Sequence, residues 1–208
     1  MIFYEPGARD TELLPHDPFK ALVAPRPIGW VSTLSGGAVN LAPYSFFNAI
    51  CDRPPMVMFS SSGMKDSATF AHATREFVWN LPTYALSEAM NLTSAALPRG
   101  ESEFAHAGLS TAPSRIVDTP RVAESPVAFE CRVTQTLELV DVDGAATNRH
   151  VVIGQVVGVH LDESFIDDRG QVDTAALAPI ARCGYTDEYT VVDALFRMKR
   201  PDDVPSWR

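Results

Sequence analysis

Between Val127 and Leu139 apolar and polar residues alternate. Phe129, Cys131, Val133, Leu137 and Leu139 fall on one side of an extended chain, and Glu130, Arg132, Thr134, Thr136 and Glu138 on the other. This period of two marks an antiparallel strand with one face buried. Asp141–Gly144 turns the chain, and Asn148–Leu161 returns through Val151-Val152-Ile153-Gly154-Gln155-Val156-Val157. Both faces of that return strand are apolar, so it is expected to be buried on both sides or to curve through a barrel wall. Gly154 and Gly158 suit its bends. Long antiparallel strands with two inserted helices point to a mainly β, antiparallel barrel and not to a parallel α/β sheet.

The earlier chain supplies shorter elements. Ile28–Leu34 is rich in β-branched and aromatic residues and reads as a strand. Ser35-Gly36-Gly37-Ala38 offers the positive φ angles of a hairpin, with Val39–Ala42 as the return strand. The polar, proline-interrupted stretch that follows, up to Asn48, does not read as ordinary sheet. Pro54-Pro55 precedes a buried strand at Met56–Ser60. A helix is expected over Asp66–Thr74 with Asp66 as its N-cap, then a strand at Phe77–Leu81 and a second helix over Tyr84–Ala96. No repeat, low-complexity tract or linker divides the 208 residues, so one domain is expected. Residues 1–23 form a surface lead-in, and Arg197–Arg208 a tail or an arm over a partner subunit.

Composition excludes several functions. A formal charge of −9 argues against nucleic acid, which needs a clustered basic surface, and against an anionic membrane. No apolar run has the length of a membrane span. The N-terminus shows no secretory signal pattern. Cys51, Cys131 and Cys183 are odd in number and far apart, as suits reduced thiols in the cytoplasm. No CxxC, HExxH or paired histidine spacing signals a metal.

Two clusters carry candidate chemistry. In Ser60-Ser61-Ser62-Gly63-Met64-Lys65-Asp66-Ser67, hydroxyls, a glycine and a lysine crowd at a helix start. A phosphomonoester wants such converging donors, a helix N-terminus and one cation. The same residues also suit a solvated turn before a serine-capped helix. The second cluster, Asn40–Asn48, mixes compact Ala42 and Pro43 with polar Ser45 and Asn48 and apolar Phe46 and Phe47, as a flat ring with a polar edge requires. Trp30 and Thr33 could add a wall and a hydroxyl, although each residue taken singly also suits core packing. Arg26, held between Pro25 and Pro27, could reach a phosphate, the ring's pyrimidine edge or a structural salt bridge.

Taken in order, Arg26-Pro27-Ile28-Gly29-Trp30, the pattern Asn40-x-Ala42-Pro43-x-Ser45-x-Phe47 and Lys65-Asp66-Ser67 resemble the flavin reductase-like family, from about Ala24 to Tyr189. Its members bind FMN in a split β-barrel. The Lys-Asp-Thr motif that grips the FMN phosphate appears here with Ser67 in its third place. The resemblance implies phosphate contacts from Ser60, Ser61, Ser62, Lys65 and Ser67. It implies ring contacts from Tyr44, Ser45, Phe46 and Asn48, partly through backbone groups. Glu103-Phe104 with Gly108-Leu109 would form an outer lobe over the cofactor.

The implied activity is hydride transfer from NADH or NADPH to flavin. The alternative, from the flavoredoxin-like subgroup, is an electron carrier with tightly held FMN and no nicotinamide site. An empty split-barrel scaffold is disfavoured, because it leaves the polar cluster without a purpose. Neither a G-x-S-x-G elbow nor a G-x-G-x-x-G turn is present, so a nicotinamide would dock transiently on the flavin. A homodimer is expected, with a monooxygenase or another electron acceptor as a further partner. Any one of His72, His106, His150 and His160 could donate a proton or contact a nicotinamide, since histidine titrates near neutral pH, although a lone histidine is more often structural or merely exposed.

Overall fold

The computed structural model describes residues 1–98 and 101–199. In chain order it contains α1 (Phe19–Leu22), β1 (Arg26–Pro27), β2 (Gly29–Ser35), β3 (Ala38–Tyr44), β4 (Phe47–Asp52), β5 (Pro55–Ser62), α2 (Asp66–Thr74) and β6 (Glu76–Asn80). There follow α3 (Ser87–Leu92), α4 (Glu103–His106), β7 (Thr111–Ala112), β8 (Arg121–Val122), β9 (Val127–Val140), β10 (Ala146–Leu161), α5 (Thr174–Leu177), β11 (Ile180–Arg182) and β12 (Tyr189–Val191).

Seven strands form one antiparallel sheet in the order β3-β2-β6-β9-β10-β5-β4. Its two edges, β3 and β4, are joined by Ser45 and Phe46 alone. So short a connection spans at most about 11 Å, and the sheet must roll until its edges nearly meet. The edges do not pair with each other. Ser60 of β5 instead donates its N–H to the Phe46 carbonyl at 2.9 Å. The result is the expected split β-barrel.

Neighbouring residues of β2 point to opposite sides and found two cores. Val31 joins Phe59, Phe77, Trp79 and Val152 inside the barrel, where Phe47 and Trp79 stack at 5.4 Å. Trp30 faces outward into a second cluster with Ile28, Leu41, Met90 and Phe104, which α3 and α4 cover. Glu103 Oε2 accepts the Leu41 N–H at 3.2 Å, so the segment expected over the cofactor is fastened to β3, where it satisfies an edge donor. No helix among the described residues is long and apolar enough to cross a membrane.

The hairpin follows expectation: Ser35 pairs with Ala38, with Gly36 at φ 57° and Gly37 at φ 82° between them. Other expectations fail for identifiable reasons. The stretch after Asn40 is sheet after all, since Pro43 lies in β3 opposite Trp30; an edge strand tolerates the missing N–H. Lys65, not Asp66, is the N-cap of α2. In place of one helix over Tyr84–Ala96 there is a 3-10 turn at Tyr84–Leu86 and then α3. Thr93 and Ser94 bond back to the carbonyls of Met90 and Asn91, competing with further helix.

Leu137 and Leu139 are exposed. β6 accompanies β9 only as far as Arg132, beyond which β10 alone flanks it. Glu130, expected on the polar face, is 1% exposed beneath the 115–117 loop. The expected tail Arg197–Arg208 lies outside the described residues from position 200 onward.

Register shifts at Ile153/Gly154 and Val156/Gly158 place both β10 glycines where pairing is irregular. A Cβ on Gly154 would overlap the Phe77 ring and stand 3.1 Å from Cys131 Cβ. Gly154→Ala is therefore expected to destabilise by about 1–3 kcal/mol through overpacking. The urea midpoint checks this, and an unchanged midpoint would show that the ring yields freely.

Candidate functional site

β5 runs out at Ser62, and α2 starts four residues later. Gly63, at φ 78°, makes the turn that an L side chain resists. Its N–H donates to the Asn148 carbonyl at 2.8 Å, pinning the loop to the start of β10. Asn148 itself sits at φ 53°, within the register irregularity between Ala146 and His150.

Beneath the loop lies a buried polar network. Asn40 Nδ2 donates to Ser67 Oγ at 2.6 Å, and Ser61 Oγ donates to the Gly63 carbonyl at 2.7 Å. The Tyr44 phenol joins Ser67 and Ser61; burial raises its pKa, against the lowering effect of those two bonds. Its ring packs 4.8 Å from Phe59. Ser61 and Ser67 are essentially unexposed, so their hydroxyls brace the loop from within. That corrects their expected role as direct phosphate contacts.

What faces outward is different. Ser62 and Lys65 are exposed and Ser60 is half-buried. No side chain caps α2, so its first-turn N–H groups remain available to an anion. Across the sheet Arg149 pairs with Ser62, on the same face with Cβ atoms about 5 Å apart. Neither Lys65 nor Arg149 forms an ion pair among the described residues. Arg149 is the cation that sequence inspection passed over. Its signal was the polar run Asn148-Arg149-His150 at the mouth of an apolar strand, but only the register brings it to Ser62.

The ring candidates divide. Ser45 is half-buried, while Phe46 is exposed on the connection to β4, beside Ser60, and Asn48 is exposed in β4 itself. Trp30 is fully buried and donates from Nε1 to Thr93 Oγ1 at 3.0 Å, which makes it core and not a ring wall. Thr33 is also fully buried and presents no hydroxyl to a ligand. Arg26 is 7% exposed and donates to the carbonyls of Lys20, Val23 (2.6 Å) and Cys183 (2.8 Å). It fastens the lead-in and β11 together, with its guanidinium 5.9 Å from the Phe46 ring centre. All three side chains are buried and none lies on the exposed face with Ser62 and Lys65.

Residues 22–176 match the family model described as flavin reductase like domain. The uncharacterized protein YwrF of Bacillus subtilis is 36% identical over 199 residues, 91% of this chain and 96% of that protein. Among solved structures, nitrilotriacetate monooxygenase component B from Bacillus cereus superposes with a TM-score of 0.85 at 27% identity, over 95% of this chain and 98% of that one. The 2-nitrobenzoate 2-nitroreductase of Pseudomonas fluorescens gives 0.82 at 26% identity, over the whole of both chains. On the match over most of its length and the 36% identity to YwrF, this chain belongs to the flavin reductase-like family.

Proposed function

We propose that the protein is an FMN-binding oxidoreductase of the flavin reductase type, taking hydride from NADH or NADPH. The observation that carries this is the uncapped start of α2, flanked by Lys65, Arg149 and Ser62 on one exposed face. These residues fit a terminal phosphate: N–H donors along the helix axis, two cations with no ion pair among the described residues, and a glycine that lets the backbone approach. Ser60, Ser45, Phe46 and Asn48 continue from that face and would line the ring.

When bound, FMN supplies the electron-accepting ring, and no side chain need move a proton. The chain's task is to hold the phosphate at α2, position the ring against Phe46 and Asn48, and leave one face open to the nicotinamide. The similarity to a monooxygenase component supports a separate acceptor for the electrons. A homodimer is part of the proposal. Edge strand β4 exposes Asn48–Asp52, and Ile50, Val140 and Val142 are exposed apolar side chains that a second copy would cover. We place the protein in the cytoplasm, in keeping with its three unpaired cysteines.

Anaerobic stopped-flow mixing tests the reaction. Flavin absorbance is expected to bleach with NADH or NADPH, and Asn48→Trp should slow bleaching more than it weakens FMN binding. Flavin that stays oxidised with both, yet is reduced by a protein donor, would establish the carrier instead. Sedimentation is expected to show a dimer at micromolar concentration. A monomer with stoichiometric FMN would refute that part.

A further inference from the structure

At the end of the barrel away from Ser60–Ser67, a cavity of about 980 Å³ opens between the C-terminal end of β10, the chain around 115–126 and Thr83–Leu86. Along β10, His150 pairs with Ser61 while His160 pairs with Ala128. Ten residues of strand, ~33 Å of contour, therefore separate the cavity from the phosphate end.

The acids around this cavity are engaged. Glu130 accepts the N–H groups of Arg115 (2.8 Å), Ile116 (2.6 Å) and Val117 (3.0 Å) and meets His160 Nε2 at 2.6 Å. Glu124 accepts the Ser110 N–H at 2.9 Å, and Asp162 accepts the N–H and hydroxyl of Ser164 at 2.9 and 2.7 Å. The arginines are not. Arg115 and Arg121 both line the cavity, and neither side chain has a hydrogen bond or ion pair among the described residues. Arg121 Nε is buried without an acceptor.

Two arginines left without acids beside one cavity are unexpected in a chain of net charge −9. The buried Arg121 Nε is a donor that calls for an acceptor, and the planar guanidinium fork matches a carboxylate or phosphate. Leu161, Phe165 and Leu177 supply apolar wall in the same cavity, and its volume is in the range that holds small ligands.

We propose that this cavity is a second binding site, separate from the flavin site, for a small organic anion whose apolar body rests on Leu161, Phe165 and Leu177 and whose carboxylate or phosphate is held by Arg115 and Arg121. Benzoate and phenyl phosphate are the probes, titrated calorimetrically into flavin-loaded protein. Saturable one-to-one binding of at least one is expected, and the tighter probe identifies the headgroup. Arg115→Gln with Arg121→Gln should weaken it at least ~tenfold, the effect of losing roughly 1.4 kcal/mol, with flavin content unchanged. Saturable binding of neither probe, or undiminished binding in the double variant, overturns the proposal. If that variant does not fold, amide shifts of the unaltered protein decide. Shifts confined to residues 83–86, 115–126 and 158–178 support the site, and shifts centred elsewhere overturn it.

Discussion

Glu130→Ala is expected to lower stability by about 3–5 kcal/mol: three N–H bonds to a charged group, about 1.5–3 kcal/mol each, are lost, and water restores part of this at the exposed Arg115 and Ile116. The carboxylate is 1% exposed and gathers three backbone N–H groups and the His160 ring. Alanine would remove the acceptor of all of them, leaving the buried Val117 N–H unpaired, and would open a void beneath Ile116. For a chain of this size the melting temperature should fall by roughly 6–20 °C. A pH series adds a second check. Burial by itself would raise the Glu130 pKa; the Arg115 N–H, the His160 ring and the N–H groups of Ile116 and Val117 outweigh it and hold it at about 2, against an ordinary 4.5. With the folded value depressed, the contribution is complete above about 4.5, shrinks as pH falls, and is gone below about 2. The stability gap between the unaltered protein and Glu130→Gln should therefore close over that window. A melting temperature unmoved by Glu130→Ala would show that the 115–117 loop finds other acceptors.

Glu130 also marks where the sequence stops being legible. Its neighbours Phe129 and Cys131 alternate with it as a half-buried strand requires, and β9 forms there. The alternation cannot say that a loop 13–15 residues upstream folds over the polar side and buries the acid. Local chemistry was readable wherever it decided the outcome: the Gly36-Gly37 hairpin, the two long strands, the helix over Asp66–Thr74. Whatever depended on pairing partners was not. Pro43 stands in a strand because β3 is an edge, and Arg149 meets Ser62 only through the β5–β10 register. Residue type alone could not separate outward Ser62 from inward Ser61. Strand parity does so, and parity is fixed by which face packs on Phe59 and Val57. Trp30 and Thr33 fell to core packing for the same reason, since β2 is covered on both faces.

Lys65→Ala is expected to weaken FMN binding at least tenfold. A charge-assisted contact to phosphate contributes about 1.5–3 kcal/mol, and 1.4 kcal/mol is a factor of ten in affinity. Lys65 is exposed, so water and salt screen part of this, which places the expectation toward the lower end of that range. The structure sharpens the test in two ways. Ser67 is turned inward to Asn40, so Ser67→Ala should act through the loop's stability, lowering the melting temperature along with affinity, whereas Lys65→Ala should leave the melting temperature of the flavin-free protein unchanged. Arg149 stands on the same face across from Ser62, so Lys65→Ala with Arg149→Ala should lose more than either alone, and the salt dependence of binding should flatten as each cation goes. Lys65→Arg, which keeps the charge, should retain most of the affinity. Fluorescence titration of FMN at two salt concentrations reads the unaltered protein and each of these variants. Equal affinity in the unaltered protein and in Lys65→Ala would remove Lys65 from the site, and equal affinity in the double variant would remove the α2 N-terminus as the phosphate anchor.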